Sequence, residues 1–177
     1  MEVPLKIETL TLGTVCDDRA TGLTGTLTHW VLSMDGRITY IFQPRGLDRK
    51  GQPLNHLVLN EARLDVSESD FEEVEVPVEI LGTEVTDKAS GFTGMAIDFI
   101  YHINGCFHVA IQPRGVVEST GLPINVSEFD LRRCTGEKII ELSKEELTLS
   151  IEKEPSPTGN VLAHELPNCV RITRVSR

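Results

Sequence analysis

Basic residues are scarce in this 177-residue chain: 17 Lys+Arg stand against 27 Asp+Glu, a formal net charge of −10. No Lys/Arg block interrupts the acidic background of its two repeats, which are set out below. Such a surface repels a phosphate backbone unless cations are gathered into a patch, so nucleic acid is a disfavoured partner. No run reaches the roughly 18 consecutive apolar residues of a membrane-spanning helix, and no membrane partner is expected. The opening residues, MEVPLKIETLTLG, lack the basic n-region and small-residue cleavage site of a secretory signal and read as part of the fold. Cys16, Cys106, Cys134 and Cys169 form no C-x-x-C pair and fall at unmatched places in the repeats, which argues against a disulfide framework or zinc ribbon and predicts reduced thiols. G-x-S-x-G, H-E-x-x-H and P-loop motifs are missing, as is any Ser/His/Asp order. The expectation is a protein that performs no catalysis and carries no cofactor.

What the chain does contain is a duplication. IFQPRG at Ile41–Gly46 returns as AIQPRG at Ala110–Gly115, a shift of 114 − 45 = 69 residues. The same shift lays DRATGLTG (Asp18–Gly25) on DKASGFTG (Asp87–Gly94), and Leu12–Gly46 matches Leu81–Gly115 at 13 of 35 positions. GQPLN (Gly51–Asn55) answers TGLPIN (Thr120–Asn125) once one residue is inserted. Two copies of a long period read as tandem modules and not as a solenoid. The predicted divisions are 1–70, 71–141, and a C-terminal arm at 142–177.

Short apolar runs rich in Thr, Val and Ile, punctuated by Gly, Pro, Asp and Asn, predict strands in both repeats. D-x-x-[TS]-G-x-x-G followed by strand, tight hairpin and strand predicts a mostly β chain, with each repeat an SH3-like or KOW-like small barrel. SMDGRI (Ser33–Ile38) and HINGCF (His102–Phe107) place Asp-Gly and Asn-Gly between strands, a signal for two-residue hairpin turns. In that register Ile38, Tyr40 and Phe42 face the core with Val31 and Ser33, while Phe107, Val109 and Ile111 do so with Ile100 and His102. The opposite faces then carry Trp30, Leu32, Met34 and Ile41 in one copy, and Phe99, Tyr101, Ile103 and Ala110 in the other. These are too apolar for water, so Trp30, Phe99 and Tyr101 become candidate contacts with the other repeat, the C-terminal segment or a partner chain.

In the arm, Ser143 with Glu146 three residues on forms a capping box that predicts a short helix or an extended acidic stretch, and PSPTGN makes a joint. NCVRITRVSR then alternates apolar residues with Arg171 and Arg174, a strand-like clasp with a basic edge.

Among chemistry-bearing residues, His102, Cys106 and His108 invite a zinc reading. The predicted register sets His102 on the opposite face from the other two, and no metal site is expected. Asp18 and Asp87 each begin a glycine turn, where an aspartate caps backbone N–H groups. In Gln-Pro-Arg-Gly the proline ends a ladder and the glycine lets the chain turn, leaving Arg45 and Arg114 exposed. Their functional alternative is a pseudo-symmetric pair of anchors for carboxylates or phosphates.

One further signal lies in VTDKASGFTGMAIDFIYHINGCFHVAIQP (Val85–Pro113). It is similar to the D-x-x-T-G-F-x-G…Y-x-x-G-C…Q-P pattern of small proteins encoded by tailed bacteriophages and prophages. Asp87, Gly91, Phe92, Gly94, Gly105, Cys106, Gln112 and Pro113 match, and Ser90 replaces the threonine. The first repeat departs further, with Leu23 for the phenylalanine and Arg37 for the cysteine. The resemblance implies a phage-encoded protein in the virion or the cytoplasm of the infected bacterium, and no enzymatic activity. Two roles follow as expectations. One is a virion component, such as a capsid decoration or minor head or tail protein, that contacts other virion proteins or copies of itself. The other is a soluble anti-defence or regulatory protein that binds a host protein or a nucleotide.

Overall fold

Two glycines decide which residues face the core. In the structure, a computed structural model describing residues 5–76 and 79–138, Gly36 and Gly105 adopt φ of 83° and 86°. Ser33 N–H donates to Arg37 O at 2.9 Å and Gly36 N–H donates to Ser33 O at 2.8 Å; His102, Cys106 and Gly105 repeat the pattern at 3.0 and 2.8 Å. The closing pairs are therefore 33–37 and 102–106. Each loop holds three residues, ending on a left-handed glycine, instead of the two that Asp-Gly and Asn-Gly suggested. One extra loop residue turns every side chain of one strand to the other face. The core set predicted from the two-residue turn is corrected accordingly: Trp30, Leu32, Tyr40 and Phe42 share the buried face of the first hairpin, and Phe99, Phe107 and Val109 that of the second.

The chain is mostly β, with no α-helix among the described residues. Its strands are β1 Leu5–Leu10, β2 Val15–Asp18, β3 Thr24–Ser33, β4 Ile38–Pro44, β5 Leu57–Leu59, β6 Leu64–Asp65, β7 Phe71–Val76, β8 Glu84–Asp87, β9 Thr93–His102, β10 Phe107–Gln112, β11 Ser127–Asp130 and β12 Cys134–Thr135. The first repeat runs β6-β2-β3-β4-β5 and the second β12-β8-β9-β10-β11. Neither closes into a barrel, which corrects the expectation of two separate barrels. β3 pairs antiparallel with β9, joining both halves in one ten-stranded sheet. The predicted arm, with Arg171 and Arg174, lies outside the described residues.

The β3–β9 seam is centred on Val31↔Ile100, and 100 − 31 = 69, the repeat shift itself. Equivalent residues thus meet across a pseudo-two-fold axis, as in an isologous dimer interface fused into one chain. The hydrogen bonds obey it: Met34 N–H donates to Ile97 O and Ile103 N–H to Thr28 O, both at 2.8 Å. Thr28 and Ile97 are the bulge residues skipped in the β3–β4 and β9–β10 registers. A bulge bends its strand. Here it lies where β3 leaves β2 for β9 and where β9 leaves β8 for β3.

Beneath the seam the aromatics form one cluster. Trp30 is fully buried, with ring centroids 5.3 Å from Tyr101, 6.2 Å from Phe99 and 6.3 Å from Phe107; Phe99 and Phe107 lie 4.7 Å apart. Burying each such side chain contributes about 1.5–3 kcal/mol. The β1–β7 ribbon adds Leu10, Val74 and Val76 to this same core, and Leu10 N–H donates to the buried Tyr40 hydroxyl at 3.0 Å.

Candidate functional site

The repeated Gln-Pro-Arg-Gly proves to be the base of a projecting loop. Gln43 Nε2 donates to Pro44 O at 3.3 Å and Leu54 O at 2.7 Å; Gln112 Nε2 donates to Pro113 O at 3.1 Å and Ile124 O at 2.7 Å. Each glutamine staples the outgoing chain to the returning one. The glycine that follows has φ of 119° or 105°, a left-handed turn that L side chains rarely adopt. Short bridges, Leu47↔Pro53 and Val116↔Pro123, hold the loops closed. Arg45 and Arg114 leave these bases exposed, as the turn reading required. Arg45 donates its backbone N–H to Thr24 O, while the Arg114 guanidinium comes within 3.8 Å of Glu84. Beside them stand exposed apolar side chains: Leu47 in one loop, Val116, Val117 and Leu122 in the other.

Trp30 and Phe99, taken from the sequence as contact candidates, are covered within the chain, and Tyr101 packs on Trp30 and Phe107. They bind one repeat to the other.

Asp18 and Asp87 are buried and cap their glycine turns, through Ala20 N–H at 3.2 Å and Ser90 N–H at 2.9 Å. What sequence reasoning missed is their partner. Arg63 forks onto both oxygens of Asp18, and Arg133 onto both of Asp87 at 2.9 and 2.8 Å. The arginine bonds, assisted by the Thr21 hydroxyl, hold the Asp18 carboxyl down at about 2; Arg133 and Ser90 hold Asp87 lower still. The inserted residue between the repeats hid this match, since the arginines are 133 − 63 = 70 apart. These ions are spent on each other and on the turn, which makes them structural.

On the outer face of the seam the corrected register brings together what the predicted one separated. His29 (β3) pairs with His102 (β9), and their ring centroids lie 4.1 Å apart; His108 (β10) follows at 4.2 Å from His102. Glu128 on β11 completes the row, with Oε1 2.5 Å from His108 Nδ1 and 3.3 Å from His102 Nε2. The His102 contact is close but poorly aligned, and its buried Nε2 makes no hydrogen bond among the described residues. The two histidines hold the Glu128 carboxyl well below the usual carboxylate range. Burial, reinforced by the neighbouring His102, pushes His29 down to about 4. The geometric objection to a histidine site therefore falls: His102 and His108 share a face. Cys106, the third residue of that sequence cluster, is disulfide-bonded, against the expectation of reduced thiols; Cys16 and Cys134 are buried free thiols, burial raising Cys134 to about 11.

Compared with protein-family models, curated proteins and solved structures, the chain matches none.

Proposed function

We propose that this chain is a non-enzymatic structural or assembly protein of the kind tailed phages encode, presenting the same protein contact twice. Each half is read as an SH3-like module opened along its β3 or β9 edge and fused there to its twin. The observation that carries the reading is the pair of stapled loops. Leu47 is 66% exposed, Val116 56% and Leu122 63%, each beside an exposed arginine. Exposed apolar side chains on ordered, clamped loops cost little entropy when a partner covers them, and two pseudo-symmetric copies favour bivalent attachment. The partner is another virion protein, a host protein or a further copy of the chain.

Mass spectrometry of purified particles tests this directly: the chain present in stoichiometric amount supports a virion role, and its absence removes it. A second reading is favoured by Arg45 alone, whose guanidinium has no partner among the described residues. It is a soluble anti-defence or regulatory protein that binds a phosphate-bearing ligand at Arg45, with Arg114 as the equivalent anchor on the second repeat. Under that reading the double change Arg45→Ala/Arg114→Ala abolishes binding and Leu47→Asp does not. The assembly reading predicts the reverse order of severity.

A further inference from the structure

We infer that His102, His108 and Glu128 form a binding site for one divalent transition-metal ion of the zinc class. Their donor atoms all lie within 4.8 Å of one another. Ligands around a tetrahedral ion with bonds of about 2.0–2.2 Å sit roughly 3.3–3.5 Å apart, so small side-chain rotations suffice. Two imidazoles and a carboxylate form a donor set that selects zinc, cobalt or nickel over magnesium or calcium, and three protein ligands leave a position open.

Two independent observations support an ion over a merely hydrogen-bonded row. The buried Nε2 of His102 lies 3.3 Å from the Glu128 carboxylate but has no aligned hydrogen bond among the described residues, and a coordinated ion would satisfy it. The three residues also stand on adjacent strands, β9, β10 and β11, so the backbone holds them together without a flexible loop. The equivalent positions of the first repeat are Ser33, Thr39 and Val58, which offer no comparable donors. One such site among the described residues follows. An ion there would tie the edge strand β11 to β9 through β10, on the face opposite the aromatic core.

The test is a titration of the metal-free full-length chain with Co(II), read by its visible d–d absorption, together with melting in the presence and absence of Zn(II). The expected result is one equivalent bound and a raised melting temperature, with binding at least tenfold weaker in His102→Ala/His108→Ala. Glu128→Gln, which keeps the side-chain shape, should weaken it similarly, and serves should the double variant not fold. His164→Ala and His56→Ala should bind as the parent does. Absence of a Co(II) band and of a Zn(II) melting shift overturns the site, as does undiminished binding in Glu128→Gln, or loss of binding only in the His164 or His56 variants.

Discussion

The two ends of the β3–β9 seam are related by the pseudo-two-fold axis, yet they carry different chemistry. At one end His29 pairs with His102, flanked by His108 and Glu128. At the other, the equivalent residues are Asp98, Ser33, Thr39 and Val58, and Ser33 simply donates its hydroxyl to Asp98 at 2.6 Å. Inside the sheet the copies agree far better: bulge, stapling glutamine, turn aspartate and forked arginine recur in both. Positions the backbone geometry demands have kept their residues, whereas outward-facing positions were free to change. A donor cluster on one end only is therefore a property of the second repeat's surface and no by-product of the fold.

The largest test of that comparison concerns the seam itself. Trp30 and Phe99 are aligned residues, both buried. Either change to alanine should cost about 3–5 kcal/mol. Because both lie in one shared core, urea unfolding should stay a single transition for each variant, with the midpoint lowered to a similar extent. Two separated transitions would show that the halves fold independently, and the seam would then be a docking contact between domains.

Glycines sharpen it next. A Cβ on Gly25 would fall 2.5 Å from both Gln43 O and the Phe42 ring, and one on Gly94 would collide with the Gln112 carbonyl. Neither position has a left-handed φ, so the penalty is close approach alone. Gly25→Ala and Gly94→Ala should each cost about 1–3 kcal/mol in chemical denaturation. Gly22 and Gly91, at φ of 71° and 75° with open space around them, test the converse, strain without a clash; alanine there should cost roughly 1–2 kcal/mol.

Smaller again is the effect of the ion pairs, which both copies share. Asp18 and Asp87 have carboxyl values depressed below the ordinary 3.8. Their contribution to stability is thus complete above about pH 4 and is lost as pH falls toward about 2 for Asp18 and lower for Asp87. Arg63→Ala and Arg133→Ala should each lower the melting temperature at neutral pH, and by less near pH 2, where the Asp18 pair in the parent has lost most of its benefit and the Asp87 pair a part of it. Equal losses at both pH values would mean the arginines act by packing alone.

Much of this architecture was readable in the residues. The repeat, its strands and the capping aspartates follow from Gly, Pro and Asp at fixed offsets, because those residues act through local backbone geometry. The loop length at Asp35-Gly36 and Asn104-Gly105 was not, since the same dipeptide ends both a two-residue and a three-residue hairpin. That single residue misassigned Trp30 and Phe99 to an outer face and separated His102 from His108. Barrel closure failed for a different reason. Whether β3 curls onto its own module or pairs with β9 depends on apolar cover between distant segments, which local signals do not encode. Arg63 and Arg133 were hidden by the one-residue insertion that breaks the repeat's register.

The smallest expected effect belongs to the asymmetric end. His29 is held down to about 4 by burial and by its neighbour His102, with His108 and His56 adding to the depression and Glu128 opposing it. As pH falls below 6.5 the unfolded chain takes up this proton first, so His29 withdraws stability steadily until about pH 4, after which its contribution stays constant. The metal-free chain should therefore show a shallow decline in melting temperature between about pH 6.5 and 4, before the steeper aspartate-driven loss. His29→Asn should flatten the shallow phase and leave the steep one, because asparagine offers no imidazole to titrate. A shallow phase that survives in His29→Asn would place the titrating group elsewhere and remove this difference between the two ends of the seam.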